Sequence, residues 1–330
     1  MRIALGQFNE LTHERLTFAK QLGVSGVQLN TPLLPGEQGY WELRDLKRLR
    51  ERCDEYGLKL EALENVPRTF YHKAMLGLPG RDEQIENYQK TVRNMAAAGI
   101  PVLGYNWMPN GVWRTPKAVG RGGVLVTAYD HDLIGEVPLE AGIETLPELA
   151  GREIGREEMW ENYRYFTSAV IPVVEEVGLK LAIHPDDPPL PTLGGVARIF
   201  DSADGFRRAL EEIAPSPNHG MEFCLGCFSE MGGDAVADLR YFAERGTVVY
   251  LHLRDVQGSG LKFQECFLGE GNFDTVTALC TLKEVGFDGF IIDDHVPHFI
   301  DDSDWNHRGH AHTTGYILGM VEAVDKLYRP

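Results

Sequence analysis

Short apolar runs of strand length alternate with longer stretches that carry the 3.6-residue helical period, and they do so eight times along the chain. That alternation is the pattern of βα units around a parallel sheet. Strands are expected at RIALGQF (2–8), GVQLN (26–30), KLEALEN (59–65), VLGYNW (102–107), LKLAIHP (179–185), GMEFCL (220–225), VVYLHLRD (248–255) and GFIIDD (289–294). Eight strands close an α/β barrel of the (β/α)8, or TIM, type. The intervening helices show apolar stripes: Ile85, Tyr88, Val92 and Met95 on one, and Met159, Tyr163, Phe166, Val170 and Val173 on another. Tyr316, Met320, Val324 and Leu327 make the expected stripe of the last helix. Gly23, Gly57, Gly99, Gly178 and Gly286 each precede a strand, where a glycine suits a left-handed helix cap.

One connection breaks the rhythm. Roughly 50 residues separate VLGYNW from the helix near Glu157, far more than a usual βα loop. The expected organisation is one barrel domain over 1–330 with a lid-like insertion at 108–156, including a hairpin strand at VLVTAY. Because the insertion follows a strand end, it belongs on the active-site face.

Composition narrows the function classes. A net charge of −17 disfavours nucleic-acid or anionic-membrane partners, which require clustered Lys and Arg. No apolar run approaches bilayer length and no signal-peptide core is visible. Five cysteines, an odd number, make no disulfide framework. The expectation is a reduced, cytoplasmic protein acting on a small molecule, with a homo-oligomer left open.

Four side chains fall at the ends of the four strands of the second half: His184, Cys224, His252 and Asp294, about 28 to 42 residues apart. Barrel active sites are assembled in that way. Alternate residues of a strand share a face, which pairs Glu222 with Cys224 and His252 with Arg254. With those faces inward, two imidazoles, a thiolate and a carboxylate converge near the axis. Such a set suits one borderline divalent ion, Mn, Fe, Co, Ni or Zn, and suits Mg or Ca poorly. Each residue also has a plainer reading. A strand-end histidine is commonly a hydrogen-bonded structural residue, a strand cysteine a small core hydrophobe, and Cys224-Leu-Gly-Cys227 lacks the second pair of a zinc ribbon. The shared register on four consecutive strands favours one metal site.

IHPDDPP (183–189), FCLG (223–226), HLRDV (252–256) and DDH (293–295) resemble the ligand-bearing segments of the mannonate dehydratases. GYNWMP (104–109) followed by WRT (113–115) is similar to that family's fourth-strand segment, and LGEGNFD (268–274) is shared in character with the wider xylose-isomerase-like barrels. The resemblance spans nearly the whole chain. It implies a metal held by His184, Cys224, His252 and Asp294, with manganese placed first among the candidates. It also implies dehydration of D-mannonate to 2-keto-3-deoxygluconate, through loss of the C2 proton and the C3 hydroxyl. His295 is the acid/base that the resemblance indicates; its plainer role is to orient Asp294.

The sequence departs from the family's pattern after DDH. A tyrosine in a PGYG-like segment is expected, yet residues 296–316 read VPHFIDDSDWNHRGHAHTTGY, with Trp305 near that position and no tyrosine before Tyr316. His298, His307, His310 and His312 lie nearby, and Tyr316 is expected in the core. Arg254 is placed to hold a carboxylate or hydroxyls, and Asn65, Asn106, Trp107 and Arg114 are candidate substrate contacts. Asp186 and Asp187 either orient His184 or open the following loop. The alternative activity is a metal-dependent sugar or keto-sugar isomerase, epimerase or eliminase on the same barrel. A DNA-cutting barrel and an inactive binding module are further readings, the first disfavoured by the acidic balance.

Overall fold

The computed structural model describes residues 1–140 and 146–327. Eight parallel strands close on themselves, each paired with its sequence neighbours and the eighth with the first. They are Arg2–Leu5, Gly26–Asn30, Lys59–Glu64, Val102–Tyr105, Lys180–Ile183, His219–Cys224, Val248–His252 and Phe290–Ile292. Ile3 lies opposite Ile291 at the closure. The fourth strand pairs directly with the fifth, Leu103 opposite Leu181, although the whole long excursion lies between them. The barrel is therefore the expected TIM barrel, but its strands stop a residue or more short of several expected ends. His184 and Asp294 sit just beyond their strands, where the backbone is free to turn a side chain over the mouth.

The helical layer follows the apolar stripes. Arg81–Ala98 buries Ile85, Tyr88, Val92 and Met95, and Arg156–Val177 buries Met159, Tyr163, Phe166, Val170 and Val173. All five glycines expected as caps take positive φ, from 68° to 81°. The last helix, His307–Leu327, is rotated from its expected face: it buries Thr313, Thr314, Ile317, Val321 and Val324, while Tyr316 is 37% exposed. A polar anchor explains the rotation. His310 Nδ1 lies 2.8 Å from Asp293 Oδ2, and the Thr314 hydroxyl donates to the same oxygen at 2.9 Å, so this face is turned to the barrel.

The long excursion does contain a hairpin, Thr115–Val119 with Leu125–Asp130, but the sheet is larger than expected. Lys262–Cys266 pairs antiparallel with Leu125–Asp130, Phe263 opposite Tyr129, and Asp255–Ser259 completes four strands. The seventh barrel strand thus ends at His252; residues 255–266 belong to a second hairpin, turned at Gly258 and Gly260 with positive φ. Residues 141–145 of the insertion expected at 108–156 lie outside the described residues.

Candidate functional site

The mouth is carved from strand ends, and the barrel interior decides where they point. Gly104 leaves room at the fourth strand for Tyr250 and Glu222, which a Cβ there would strike. Tyr250 donates its hydroxyl to Glu222 Oε2, and Glu222 Oε1 in turn lies 2.5 Å from His252 Nε2. His252 is thereby held with Nδ1 3.5 Å from Asp294 Oδ2. Cys224 Sγ lies 3.9 Å from that same oxygen, and the His184 ring stands 5.5 Å from the His252 ring, centre to centre.

Donor atoms of Cys224, His252 and Asp294 all lie within 4.8 Å of one another, as do those of His184, Glu222 and His252, and those of His184, Cys224 and Cys227. The four strand-end residues are therefore gathered in one cluster, buried except for the half-buried His184. Both ring nitrogens of His252 are buried without a hydrogen bond of ordinary geometry. Imidazole, thiolate and carboxylate donors around such an orphaned ring fit a borderline divalent cation.

The local charges support that fit. Burial alone would pull His184 down and push Asp294 up. Instead Glu222 and Cys224 raise His184 to about 10, and His295, His252 and Arg254 hold Asp294 well below the usual carboxylate range. Burial would also raise Cys224, yet hydrogen bonding to Cys227 and the Arg254 guanidinium keep its thiol well below the ordinary value. A thiolate beside two carboxylates favours positive charge, and a divalent ion supplies it.

Beneath this cluster runs a second layer of charge. Arg254 places Nε 3.0 Å from Asp294 Oδ2, Nη1 2.6 Å from Glu230 Oε1 and Nη2 3.2 Å from Asp187 Oδ2, and it donates to Cys227 Sγ at 3.1 Å. Gly226 admits it, since a Cβ there would lie 2.6 Å from Arg254 Cγ. At 2% exposure Arg254 is spent on protein carboxylates. Where the sequence expects Arg254 to hold a substrate carboxylate or hydroxyls, its nitrogens meet Asp187, Glu230 and Asp294.

Of the other expected residues, Asn65, Asn106, Arg114 and His295 line a cavity of about 370 Å³ together with His184 and Asp294. Trp107 does not reach the cavity wall expected of it. It is buried against Tyr163 and Phe166 in the layer between barrel and helix, pointing away from the cavity that its neighbours Asn106 and Met108 line. Asp186 and Asp187 do not orient His184, whose Nδ1 meets the Pro185 carbonyl at 2.7 Å. Asp186 instead pairs with Arg198 and accepts from the Phe200 amide, while Asp187 receives both Arg114 nitrogens.

His295 Nδ1 lies 2.7 Å from Glu265 Oε1, and its Nε2 lies 3.7 Å from Asp294 Oδ1. Burial opposes the charged ring, but Asp294 and Glu265 outweigh it and raise the group to about 9. Trp305, near the family tyrosine's expected position, gives its indole N–H to the Gln7 carbonyl at 2.9 Å and stacks on His310. His312 packs on Phe267 and Phe299, and His307 on Phe18 and Trp305. His307 also meets the Ser303 hydroxyl through Nδ1, and His310 keeps its bond to Asp293.

Sequence reasoning passed over Glu64, Glu222 and Glu265, and the amides Gln7 and Asn30. Glu222 carried a signal, since it alternates with Cys224. Glu64 and Asn30 stand at strand ends as the four ligand-type residues do. Glu265 had none, because its hairpin was not recognised.

The family profile described as D-mannonate dehydratase (UxuA) matches residues 1–330. A mannonate dehydratase of Thermotoga petrophila is 33% identical over 92% of this chain and 91% of its own length. Mannonate dehydratase 2 of Halalkalibacterium halodurans is 32% identical over 98% of this chain and its whole length. The crystal structure of mannonate dehydratase from Streptococcus suis serotype 2 superposes with a TM-score of 0.86 at 27% identity, covering 99% of this chain and 94% of that one. A D-tagatose 3-epimerase-like protein shares the barrel, with a TM-score of 0.62 at 16% identity. With its strand-end cluster and a match running from end to end, the chain belongs to the D-mannonate dehydratase family of hydro-lyases.

Proposed function

We propose that the protein dehydrates D-mannonate to 2-keto-3-deoxygluconate, holding one divalent cation, manganese first, through His184, Cys224, His252 and Asp294. The observation that carries the reading is the buried convergence of those donors at the mouth, within a chain of this family. When bound, the cation would stabilise, as a Lewis acid, the charge that builds on the substrate carboxylate as the C2 proton leaves. The chain's own residues do the rest.

Glu265 accepts from His295 Nδ1–H, which fixes the tautomer and leaves Nε2 as the proton-transfer atom. Raised to about 9 and so protonated at neutral pH, His295 gives its Nε2 proton to the departing C3 hydroxyl. Arg114 stands in the cavity wall, anchored by Asp187, to meet the sugar acid's oxygens. The sheet formed by the two hairpins serves as a wall or lid that limits water around the reacting carbons.

A protein purified with its metal, assayed for a 2-keto-3-deoxy acid and measured by elemental analysis, tests this directly. Turnover of D-mannonate with a transition metal near one per chain is expected. No turnover of any hexonate would sink the proposal. One observation favours a second reading: the place where the family tyrosine is expected holds Trp305, whose indole is committed to Gln7. An isomerase or epimerase would exchange a proton for deuterium alpha to a carbonyl without losing water.

A further inference from the structure

The opposite side of the mouth holds a single buried carboxylate, Glu64, among a row of amides. There the ends of the first four strands each present a carboxamide: Gln7, Asn30, Asn65 and Asn106, all lining the cavity. They are hydrogen-bonded in series. Asn106 Nδ2 donates to Asn65 Oδ1 at 2.8 Å, and Asn65 Nδ2 to Asn30 Oδ1 at 3.4 Å. Asn30 Nδ2 donates to Gln7 Oε1 at 3.2 Å, and Gln7 Nε2 to Asp294 Oδ1 at 2.8 Å.

Both ends impose the direction. The Met108 amide donates to Asn106 Oδ1 at 3.2 Å, so that side chain must turn its NH2 toward Asn65. At the far end the ionised Asp294 can only accept, so Gln7 must donate to it. Every amide between is left one consistent orientation. Gln7 and Asn65 hold positive φ, 61° and 62°, and so does Asp294 at 53°. Non-glycine residues take such angles uncommonly, and they concentrate at functional sites.

We infer that Gln7, Asn30, Asn65 and Asn106 form a directional amide belt that binds the hydroxyl chain of the substrate and fixes the far oxygen of Asp294. The inference rests on the sugar-acid reading of the cavity. After the belt and Glu64 are counted, Gln7 Oε1 and Asn65 Oδ1 each keep one lone pair, and Asn106 keeps one N–H and one lone pair. The belt is therefore rich in acceptors, matched to hydroxyl groups that donate. Its length, four strand ends, matches an extended polyol better than a single polar group. Because it ends on Asp294, the belt ties the hydroxyl side of the cavity to the metal side.

The test uses the metal-loaded protein, D-mannonate, and two variants at opposite ends. Asn106→Asp removes the first side-chain donor, and Gln7→Leu removes the last. Asn106→Asp is expected to raise KM for D-mannonate about ten-fold, the weight of one lost hydrogen bond with its partner stranded, with kcat changed much less. Discrimination among hexonates differing at C4 and C5 should narrow. Gln7→Leu is expected to weaken manganese binding to the apo-protein, read by competition with a chelating dye. Asn106→Gln, which keeps the amide, should recover part of the lost affinity. Should wild type turn over no hexonate, calorimetric binding of D-mannonate reads the same belt, and the dehydratase proposal fails by itself. Unchanged affinity and unchanged hexonate discrimination in Asn106→Asp, with the circular dichroism spectrum of wild type, would overturn the inference. So would an unaltered manganese affinity in Gln7→Leu.

Discussion

His184, half-buried, and His219, buried, stand on the fifth and sixth barrel strands or just past them, and their surroundings drive them in opposite directions. His184 faces the mouth, where Glu222 and Cys224 overcome burial and raise it to about 10. His219 faces the layer between barrel and helix, where burial lowers it to about 4. There its Nδ1–H donates to the Ala214 carbonyl at 2.9 Å, so Nε2 accepts the Tyr105 hydroxyl at 2.9 Å. Tyr105 in turn lies 3.0 Å from the Tyr163 hydroxyl. The difference teaches what each region is for. The mouth concentrates charge that must be balanced by a cation or by Arg254; the layer behind it satisfies polar groups with neutral partners and keeps charge out.

Breaking the charge balance of the mouth should have the largest effect. Arg254→Met would leave Asp187, Glu230 and Asp294 without their shared cation, and truncating one partner of a buried pair costs about 3–5 kcal/mol. Urea unfolding should show that loss, together with weaker metal binding. A stability within 1 kcal/mol of wild type (on the order of a minor surface substitution) would show that the carboxylates find other partners. His295→Gln comes next. It keeps a donor near Glu265 but removes the proton-transfer nitrogen, and kcat should fall about 10²–10⁴-fold. Metal content should stay at the wild-type level, and a kcat within two-fold of wild type (on the order of 0.4 kcal/mol) would reduce His295 to a group that orients Asp294.

The two regions also differed in how far they could be read from the chain. The barrel was legible because its signals are local: apolar period, strand length, and glycines that cap helices. His184, Cys224, His252 and Asp294 were legible because barrel closure brings strand ends together wherever they lie in sequence. Trp107 and Arg254 were misplaced because face and depth depend on neighbours that no local pattern records. Arg254 needed Gly226 and three distant carboxylates to be buried. The rotation of the last helix was set by a polar anchor on Asp293, which an apolar stripe cannot reveal. Glu265 stayed hidden because its hairpin pairs with a strand more than a hundred residues earlier.

The neutral layer gives smaller and differently shaped effects. His219 binds its proton at about 4 when folded and near 6.5 when unfolded. Between those values the unfolded chain holds more protons, so the contribution is full above pH 6.5 and declines as pH falls toward 4. The linkage amounts to roughly 3 kcal/mol at most. His219→Gln should flatten that limb of the stability curve; an unchanged limb would place the acid sensitivity elsewhere. Tyr163→Phe is the mildest break. Tyr105 keeps its bond to His219, only one hydroxyl leaves a neutral chain, and the cost should be about 1 kcal/mol with the acid limb intact. A loss as large as that of Arg254→Met would mean that the tyrosine pair stabilises this layer as strongly as ionic partners stabilise the mouth. The contrast between the two histidines would then have to be explained by packing instead of charge.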